Sequence, residues 1–388
     1  MTVVVDLRGL SFERGAHLLV ERALREVAAG VEVAVTGDDE ALRVHLRAWA
    51  RERGHGYRER GDALAVVRTD VALGRWRGAL ATAGVRPEAE ARWGLAARGA
   101  TVEASSPAFA FALSRKDEVW TDDAARLYAQ AAASQWDPAT VIPWEAPMSH
   151  PEAVEDAVVQ VMTYLVENET AALVIPARFA SQVHPHYREV MQVLAVQAAD
   201  EARHVEVFSR RGLLRRGALG LSTAGGQSSL QTLLDEPDFA TSSFLLSVLG
   251  EGTFLSLLAF LRERGPDPVT REVARWSGQD EARHVAFGMS HLARHLACDP
   301  SVRGRLAAAV TRRHDALRQT AGLNEEVFDA LVLLAAGSWE PEAIGAGHDA
   351  VLALQREMDE HRQRRLRRLG FDAADAAALS SLHTRNFM

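Results

Sequence analysis

Asp200-Glu201-Ala202-Arg203-His204-Val205 and Asp280-Glu281-Ala282-Arg283-His284-Val285 are the same six residues, written twice at an offset of 80. Each copy sets a glutamate and a histidine three positions apart. On an α-helix three positions are nearly one turn, so the carboxylate and the imidazole of each copy point the same way. Two such helices facing each other present two Glu and two His to one small volume, which is a metal site in outline. A single Glu-x-x-His is more often a solvated surface pair. A verbatim repeat inside apolar stripes is different, because a buried stripe rejects Glu and His unless they find partners.

Outward from each copy the stripes are helical. Val190, Leu194, Gln197, Glu201, His204 and Phe208 recur at three- and four-residue steps, as do Val273, Ser277, Glu281, His284, Gly288 and His291. Each stripe follows another that carries a single acid. Val154, Val158, Met162 and Leu165 lead by four to Glu169, whereas Glu167 falls off the stripe and is expected to face solvent. Phe244, Val248, Glu251, Leu255 and Leu258 form the matching stripe, with Gly250 and Gly252 on either side of the acid, where a helix or a substrate can come close. Pro151 suits a first helical turn, Pro176, Pro185 and Gly265-Pro266 mark breaks, and Gly220 to Ser229 reads as a Gly/Ser-rich connection. Glu169 and Glu201 are 32 positions apart and Glu251 and Glu281 are 30 apart, the spacing that two antiparallel helices with a short turn bring level. The unit of one helix with Glu, a turn, and one helix with Glu-x-x-His therefore occurs twice.

Over about residues 150–300 this pattern resembles the ferritin-like di-iron carboxylate oxygenases and oxidases. Their general ligand rule is a Glu from each of two helices plus Glu-x-x-His from each of the other two, and all six positions are filled here. The resemblance implies a mainly α fold, a ferritin-like four-helix bundle with extra helices. It implies Glu169 and His204 on one metal, Glu251 and His284 on the other, and Glu201 and Glu281 as bridges. Two iron ions, or a manganese and iron pair, are the implied cofactor, with O2 as co-substrate, a small organic substrate and an external electron donor. Cobalt, zinc or manganese would accept the same ligands, so iron is implied by the resemblance and not by the donor set.

The rest of the repeated phrase suits support of such a site. Asp200 and Asp280 stand four before the histidines, where each can accept the second ring N–H of a ligating histidine and fix its tautomer. Arg203 and Arg283 can pair with these acids, including across the two helices. His291, two turns beyond His284, reads as a core or surface histidine, and His184 and His186 as solvent-facing loop residues. Arylamine N-oxygenases of the class carry an extra His four before the second Glu-x-x-His; Ser277 stands there, which points away from that reaction. The expected activity is O2-dependent oxidation, with hydroxylation, N-oxygenation, desaturation and oxidative cleavage all open. A ferroxidase or iron-handling protein is the alternative, disfavoured by the additional domain and helices. A metal-free helical interaction protein would leave six buried ionisable groups uncompensated.

Residues 1–70 read as a small two-layer α/β domain. Val3 to Leu7, Val31 to Val35 and Leu64 to Val67 read as strands, with helices over Arg14 to Ala29 (Leu18, Leu19, Ala23, Leu24, Val27) and through Leu42, Leu46 and Trp49. Asp6-Leu7-Arg8-Gly9-Leu10, Gly37-Asp38-Asp39-Glu40-Ala41 and Gly54-His55-Gly56-Tyr57 resemble the TusA-like sulfur-carrier domains. In that family a Cys-Pro pair opens the first helix, where this chain has Phe12-Glu13. Cys298 is the one cysteine, so sulfur transfer is excluded and a retained scaffold for docking, dimerisation or covering the site is implied.

Residues 71–150 read as a helical connecting segment, with short helices at Arg75 to Ala83 and Pro87 to Ala97, a helix capped by Asp122 or Asp123, and Trp136 and Trp144 as hydrophobic clamps. Residues 151–388 hold the bundle and further helices at Val302 to Leu317, Glu325 to Ala336 and Pro341 to Leu366; the basic run Arg362 to Arg368 reads as a solvated face.

Composition bounds the rest. At 388 residues, 47% hydrophobic and 25% charged, the chain has the make-up of a globular protein. A net charge of -8 argues against nucleic acid as the main partner. One cysteine leaves no thiolate cluster, so a transition metal must be held by N and O donors. The first residues lack a basic region followed by a long apolar run, so a cytoplasmic protein with no membrane association is expected, compatible with a homodimer.

Overall fold

The computed structural model describes residues 3–70, 78–318 and 325–383. Two compact units emerge, residues 1–84 with 92–109, and residues 85–91 with 110–388.

The first unit is built on a four-stranded sheet. Strands β1 (Val3–Asp6) and β2 (Glu32–Thr36) are parallel, joined through helix α1 (Ala16–Arg25). Helix α2 (Leu42–Glu52) leads to a hairpin of β3 (Gly56–Arg60) and β4 (Ala63–Val67), and the strand order is β1-β2-β4-β3. The β3 strand was invisible in the pattern, because Tyr57-Arg58-Glu59-Arg60 is a polar edge strand with no apolar alternation. Helix α1 is shorter than expected and turns a partly different face inward: Ala23 and Leu24 are buried as expected, Leu18 and Leu19 are not. Ala16, Val20, Ala23 and Leu24 are buried while Leu18 is 60% exposed. Val20, Val33, Leu46 and Val66 form the centre of this unit's core. Where a helix was expected over Arg75 to Ala83, Arg75 to Arg77 lie outside the described residues and Leu80–Ala81 is a short strand, β5, paired with β6 (Thr101–Val102). The helix expected over Pro87 to Ala97 reduces to one 3-10 turn at Ala91–Trp93. Gly94 interrupts it with φ 46°, its α-carbon lying against the Phe109 ring where a side chain would not fit.

The second unit is helical. After the short α3 (Lys116–Val119), α4 (Ala124–Ala133) and α5 (Pro138–Val141), four long elements form the bundle. These are α6 (Glu152–Ala180), α7 (Arg188–Arg216), a continuous helix from Phe239 to Arg264, and α11 (Pro268–Cys298). The third runs as α9 (Phe239–Ser243), a π-helical stretch at Phe244–Glu251, and α10 (Gly252–Arg264). Helix α6 packs along α7, α10 along α11, and α11 crosses to α7, which closes the bundle. Pro176 does not break the chain; it sits inside α6, which continues one further turn. The Gly/Ser-rich connection is itself largely a helix, α8 (Ala224–Leu234). Its Thr223 hydroxyl caps the Gly226 N–H, and Leu230 and Leu233 are buried. Helices α12 (Val302–Arg318), α13 (Glu325–Ala336), α14 (Pro341–Arg368) and α15 (Ala373–Ser381) complete the unit, with α13 on α6 and α14 on α10.

Helix α6 and the Phe239–Arg264 helix are long and apolar enough to cross a membrane by length and composition. In the fold 67% and 78% of their most apolar stretches are buried by the rest of the chain, as bundle core helices are.

The basic face expected at the end of α14 is solvated only in part: Arg364, Arg367 and Arg368 are exposed, whereas Arg362 and Arg365 turn inward. Arg362 is 1% exposed and donates to the Ser380 carbonyl at 3.0 Å, and Arg365 donates to the Val248 carbonyl in the π-helical stretch at 2.7 Å. A guanidinium can be buried in this way when it finds carbonyls that a helix leaves free, and the π-turn leaves such carbonyls. His184 and His186 are buried as well, because residues near 86 and 111 cover their loop. The His186 Nε2 accepts from the Arg86 N–H at 2.9 Å, and the Phe111 ring packs on His184.

Candidate metal centre

The four bundle helices bring six side chains to one place, and they are the six that the repeat and its two partner acids single out. Glu169 comes from α6, Glu201 and His204 from α7, Glu251 from the last turn of the π-helical stretch, and Glu281 and His284 from α11. None is more than 4% exposed. They form two overlapping groups. Glu169, Glu201, His204 and Glu281 converge in one, and Glu201, Glu251, Glu281 and His284 in the other, with one donor atom from each residue within 4.8 Å of the rest. Glu201 and Glu281 belong to both.

Most of the donor atoms are aimed into shared space; the exception is His204 Nδ1, which is hydrogen-bonded to Glu201 Oε2. His204 Nδ1 lies 3.0 Å from Glu201, 3.3 Å from Glu281 and 3.6 Å from Glu169. His284 Nδ1 lies 2.9 Å from Glu201 Oε1, yet neither atom has a hydrogen-bond partner in good geometry. Both oxygens of Glu281 and one oxygen each of Glu169 and Glu251 are likewise buried without a hydrogen bond. Leaving so many buried lone pairs unsatisfied costs about 1–3 kcal/mol apiece unless something else binds them. A pair of metal ions fits this donor set. Four glutamates, two aspartates and two arginines leave four net negative charges with neutral histidines, the charge that two divalent cations balance.

Protonation in the free protein follows the same logic. Burial, with Glu201 and Glu281 close by, pushes the Glu169 carboxyl well up; burial and Glu281 do the same to Glu251. Burial also opposes charge on Glu201, but the adjoining His284 and His204 outweigh it and hold its carboxyl low. Both histidines are held well above the ordinary imidazole range. Burial works against that charge, and it is overcome at His204 by Asp280 and the surrounding glutamates and at His284 by Glu201, Glu281 and Asp200. Protons thus occupy the positions a cation would neutralise.

Behind the histidines the structure exchanges partners relative to the simple i−4 expectation. His204 Nε2 contacts Asp280 at 3.2 Å and His284 Nε2 contacts Asp200 at 3.4 Å, so each aspartate serves the opposite helix. The reason is directional: each imidazole reaches inward past its own turn, and its far nitrogen meets the helix it faces. Arg203 reaches Asp280 at 2.9 Å as well as Asp200, and Arg283 pairs with Asp280 and lies 3.6 Å from Asp200. The arginines lace α7 to α11 across the pair of repeats.

Three further residues join this network. Trp136 Nε1 donates to Asp280 at 2.8 Å, Gln135 Nε2 to Asp200 at 3.0 Å, and Gln197 Nε2 to Glu251 at 2.8 Å. Trp136 was expected to be a hydrophobic clamp; it is buried, but its indole N–H fixes an aspartate and its ring lies under the Arg203 guanidinium. Gln197 had a signal, standing one turn before Glu201 on the inward stripe. Gln135 and Trp136 had none beyond an aromatic residue near a proline. Glu167 is half-buried and supplies no atom to either group, and His291 is fully buried against Phe287 and Phe239, outside both groups.

No protein-family model matches the chain, and no curated protein matches it. Solved structures do. A point mutant of an R2-like ligand-binding oxidase with aerobically reconstituted Mn/Fe cofactor aligns at 18% identity and a TM-score of 0.51, covering 64% of this chain and 94% of that one. A second mutant with aerobically reconstituted Fe/Fe cofactor aligns at 19% identity and a TM-score of 0.49, over the same shares. At such identity the likeness is one of architecture: the helical part of the chain has the mainly α, ferritin-like bundle fold of these oxidases.

Proposed function

We propose that the chain is a non-haem dinuclear-metal oxidoreductase that uses O2 to oxidise a small organic substrate. The observation that carries this reading is the pair of buried donor groups sharing Glu201 and Glu281. Glu169 with His204 and Glu251 with His284 would hold one ion each, and Glu201 and Glu281 would hold both. Two iron ions, or manganese with iron as in the R2-like oxidase above, would supply the electrons and the O2-binding positions that side chains lack. The chain's own residues do the rest. Asp280 and Asp200 hold the histidines with Nδ1 inward, Arg203 and Arg283 screen the aspartates from each other, and Gln197 fixes one oxygen of Glu251.

Iron storage is the rival reading, and a cavity beside the site disfavours it. Beside Glu169 and Glu251 that cavity is walled mainly by leucines and Phe254, with Asn168, Arg313 and His383 as its other polar groups, a lining more apolar than a path for hydrated ions calls for. For the α/β unit we infer a scaffold role, since the sulfur-carrier thiol is replaced by Phe12-Glu13. The test is anaerobic loading with Fe(II), or Mn(II) and Fe(II), followed by O2. O2 uptake that saturates at the amount set by two ions per chain and resumes only with reductant supports the oxidase; continued uptake of Fe(II) with no organic co-substrate contradicts it.

A further inference from the structure

Glu251 sits where the third bundle helix changes register. Its counterpart in the other half, Glu169, lies inside an unbroken α-helix, whereas Glu251 closes the π-helical stretch Phe244–Glu251. At that junction the Gly252 N–H reaches back five residues to the Ser247 carbonyl. An α-helical bond from the next residue reaches back four, to Leu249, so the change of register passes over the Val248 carbonyl. To that carbonyl Arg365 of α14 donates its Nε–H, at 2.7 Å. If the helix tightened to an α-helix through this point, its two ends would rotate against each other by one residue's share of a turn, roughly 100°. Glu251, at the junction, could not keep its aim into the cage.

The arginine stands there against its own preference for water. It is 9% exposed, and its Nη2 is buried without a hydrogen bond. Among the described residues no carboxylate pairs with it, and burial, Arg362 and Arg364 all oppose its charge. Arg211, buried in the same unit, meets both Glu155 and Asp267. What Arg365 meets is the free carbonyl and bare backbone. A Cβ at Gly252 would stand 2.5 Å from Arg365 Cζ and Nε, so the glycine beside Glu251 is what lets the guanidinium in.

We propose that Arg365 is a positioning residue: its Nε–H on the Val248 carbonyl holds the π-turn open and so keeps Glu251 in the donor group with Glu201, Glu281 and His284. This rests on the dinuclear reading for what the group binds, but the placement of Glu251 itself needs no metal. Side chains of matched length separate the hydrogen bond from the charge. Arg365→Gln sets an amide nitrogen where Nε stands and removes the charge. Arg365→Lys keeps a charge but has a methylene at that place, and Arg365→Met has neither donor nor charge.

The experiment titrates the full-length chain of each variant with Mn(II) under anaerobic conditions and reads pairing of the ions from the exchange-coupled electron paramagnetic resonance spectrum. Wild type and Arg365→Gln are expected to take up two ions and give the coupled spectrum. In Arg365→Met and Arg365→Lys the ion at the Glu251/His284 position is expected to bind about 10–100-fold more weakly, leaving the uncoupled spectrum of a single Mn(II) at unchanged helix content. Arg365→Lys carries the test should Arg365→Met fail to fold. Wild-type affinity for both ions in Arg365→Met, or equal weakening in Arg365→Gln and Arg365→Met, overturns the proposal. Weakening of both ions together with loss of helix content also overturns it, since that marks a merely structural role. Crystal structures of the metal-free wild type and Arg365→Lys separate the two claims. A π-turn lost and Glu251 turned out of the cage in the variant, in a chain whose wild type binds no metal, refutes the dinuclear reading alone; two ions in the wild type with Glu251 unmoved in the variant refutes the positioning role alone.

Discussion

Asp200 and Asp280 show what a single side chain contributes here. Each carboxylate takes the outer N–H of the histidine on the facing helix and is itself held by an arginine, with Trp136 or Gln135 as a further donor. Asp280→Asn keeps the shape but weakens the hold on His204, and metal affinity is expected to fall about 10–100-fold with little change in helix content, read by metal titration and circular dichroism. Unchanged affinity would mean that the histidine is oriented by packing alone. The six cage residues were legible because each sits on a 3.6-residue stripe and the phrase occurs twice. The exchange of aspartate partners was not, since spacing along one helix says nothing about which residue lies opposite. Trp136 was hidden for the same reason: its contact spans 144 positions.

The elements carry a second kind of constraint. Between α6, α7 and α11, Arg211 is fully buried with Glu155 at 2.8 Å and Asp267 at 2.7 Å. Removing the cation strands two buried carboxylates, so Arg211→Ala is expected to cost about 3–5 kcal/mol, measured by denaturant unfolding. For Glu155 and Asp267 burial acts to raise the carboxyl pKa, but Arg211 prevails and holds both below the usual range. Such groups bind fewer protons folded than unfolded. Their stabilisation is complete above about pH 4–5 and is lost as pH falls through the lowered folded values. The thermal midpoint of a Glu155→Gln, Asp267→Asn double variant is therefore expected to vary less between pH 5 and 3 than that of the wild type. The π-helical stretch is the other element-scale feature. A Cβ at Gly288 of α11 would stand 2.6 Å from the Ser247 Cβ, so Gly288→Ala must push the stretch that carries Glu251. We expect a loss of about 1–3 kcal/mol and weaker metal binding at the Glu251/His284 position. Apolar spacing showed a helix there and no more, because Phe244, Val248 and Glu251 fit a 3.6-residue stripe as well as a wider turn.

At the scale of the whole molecule, a ferritin-like bundle with two repeated halves was readable from residues 150–300, and the α/β unit from strands β1, β2 and β4. What escaped the sequence were the contacts that cover rather than form the core: the helix in the Gly/Ser-rich segment, the buried His184 and His186, and Arg362 and Arg365 turned inward. The histidines and arginines depend on a distant segment supplying a main-chain N–H, a ring or a carbonyl. Bound metal should also tie the four helices together, so saturating ions are expected to raise the thermal midpoint, by about 2.7 kcal/mol of stability at a hundredfold excess over the dissociation constant. The central claim is that Glu201 and Glu281 are shared by two ions. Metal stoichiometry under anaerobic Fe(II) titration tests it most directly. Two ions per chain are expected for the wild type and for Glu167→Ala, and loss of the paired centre in Glu201→Ala and in Glu281→Ala; fewer than two ions in the wild type, or two retained in either of the last variants, would contradict it.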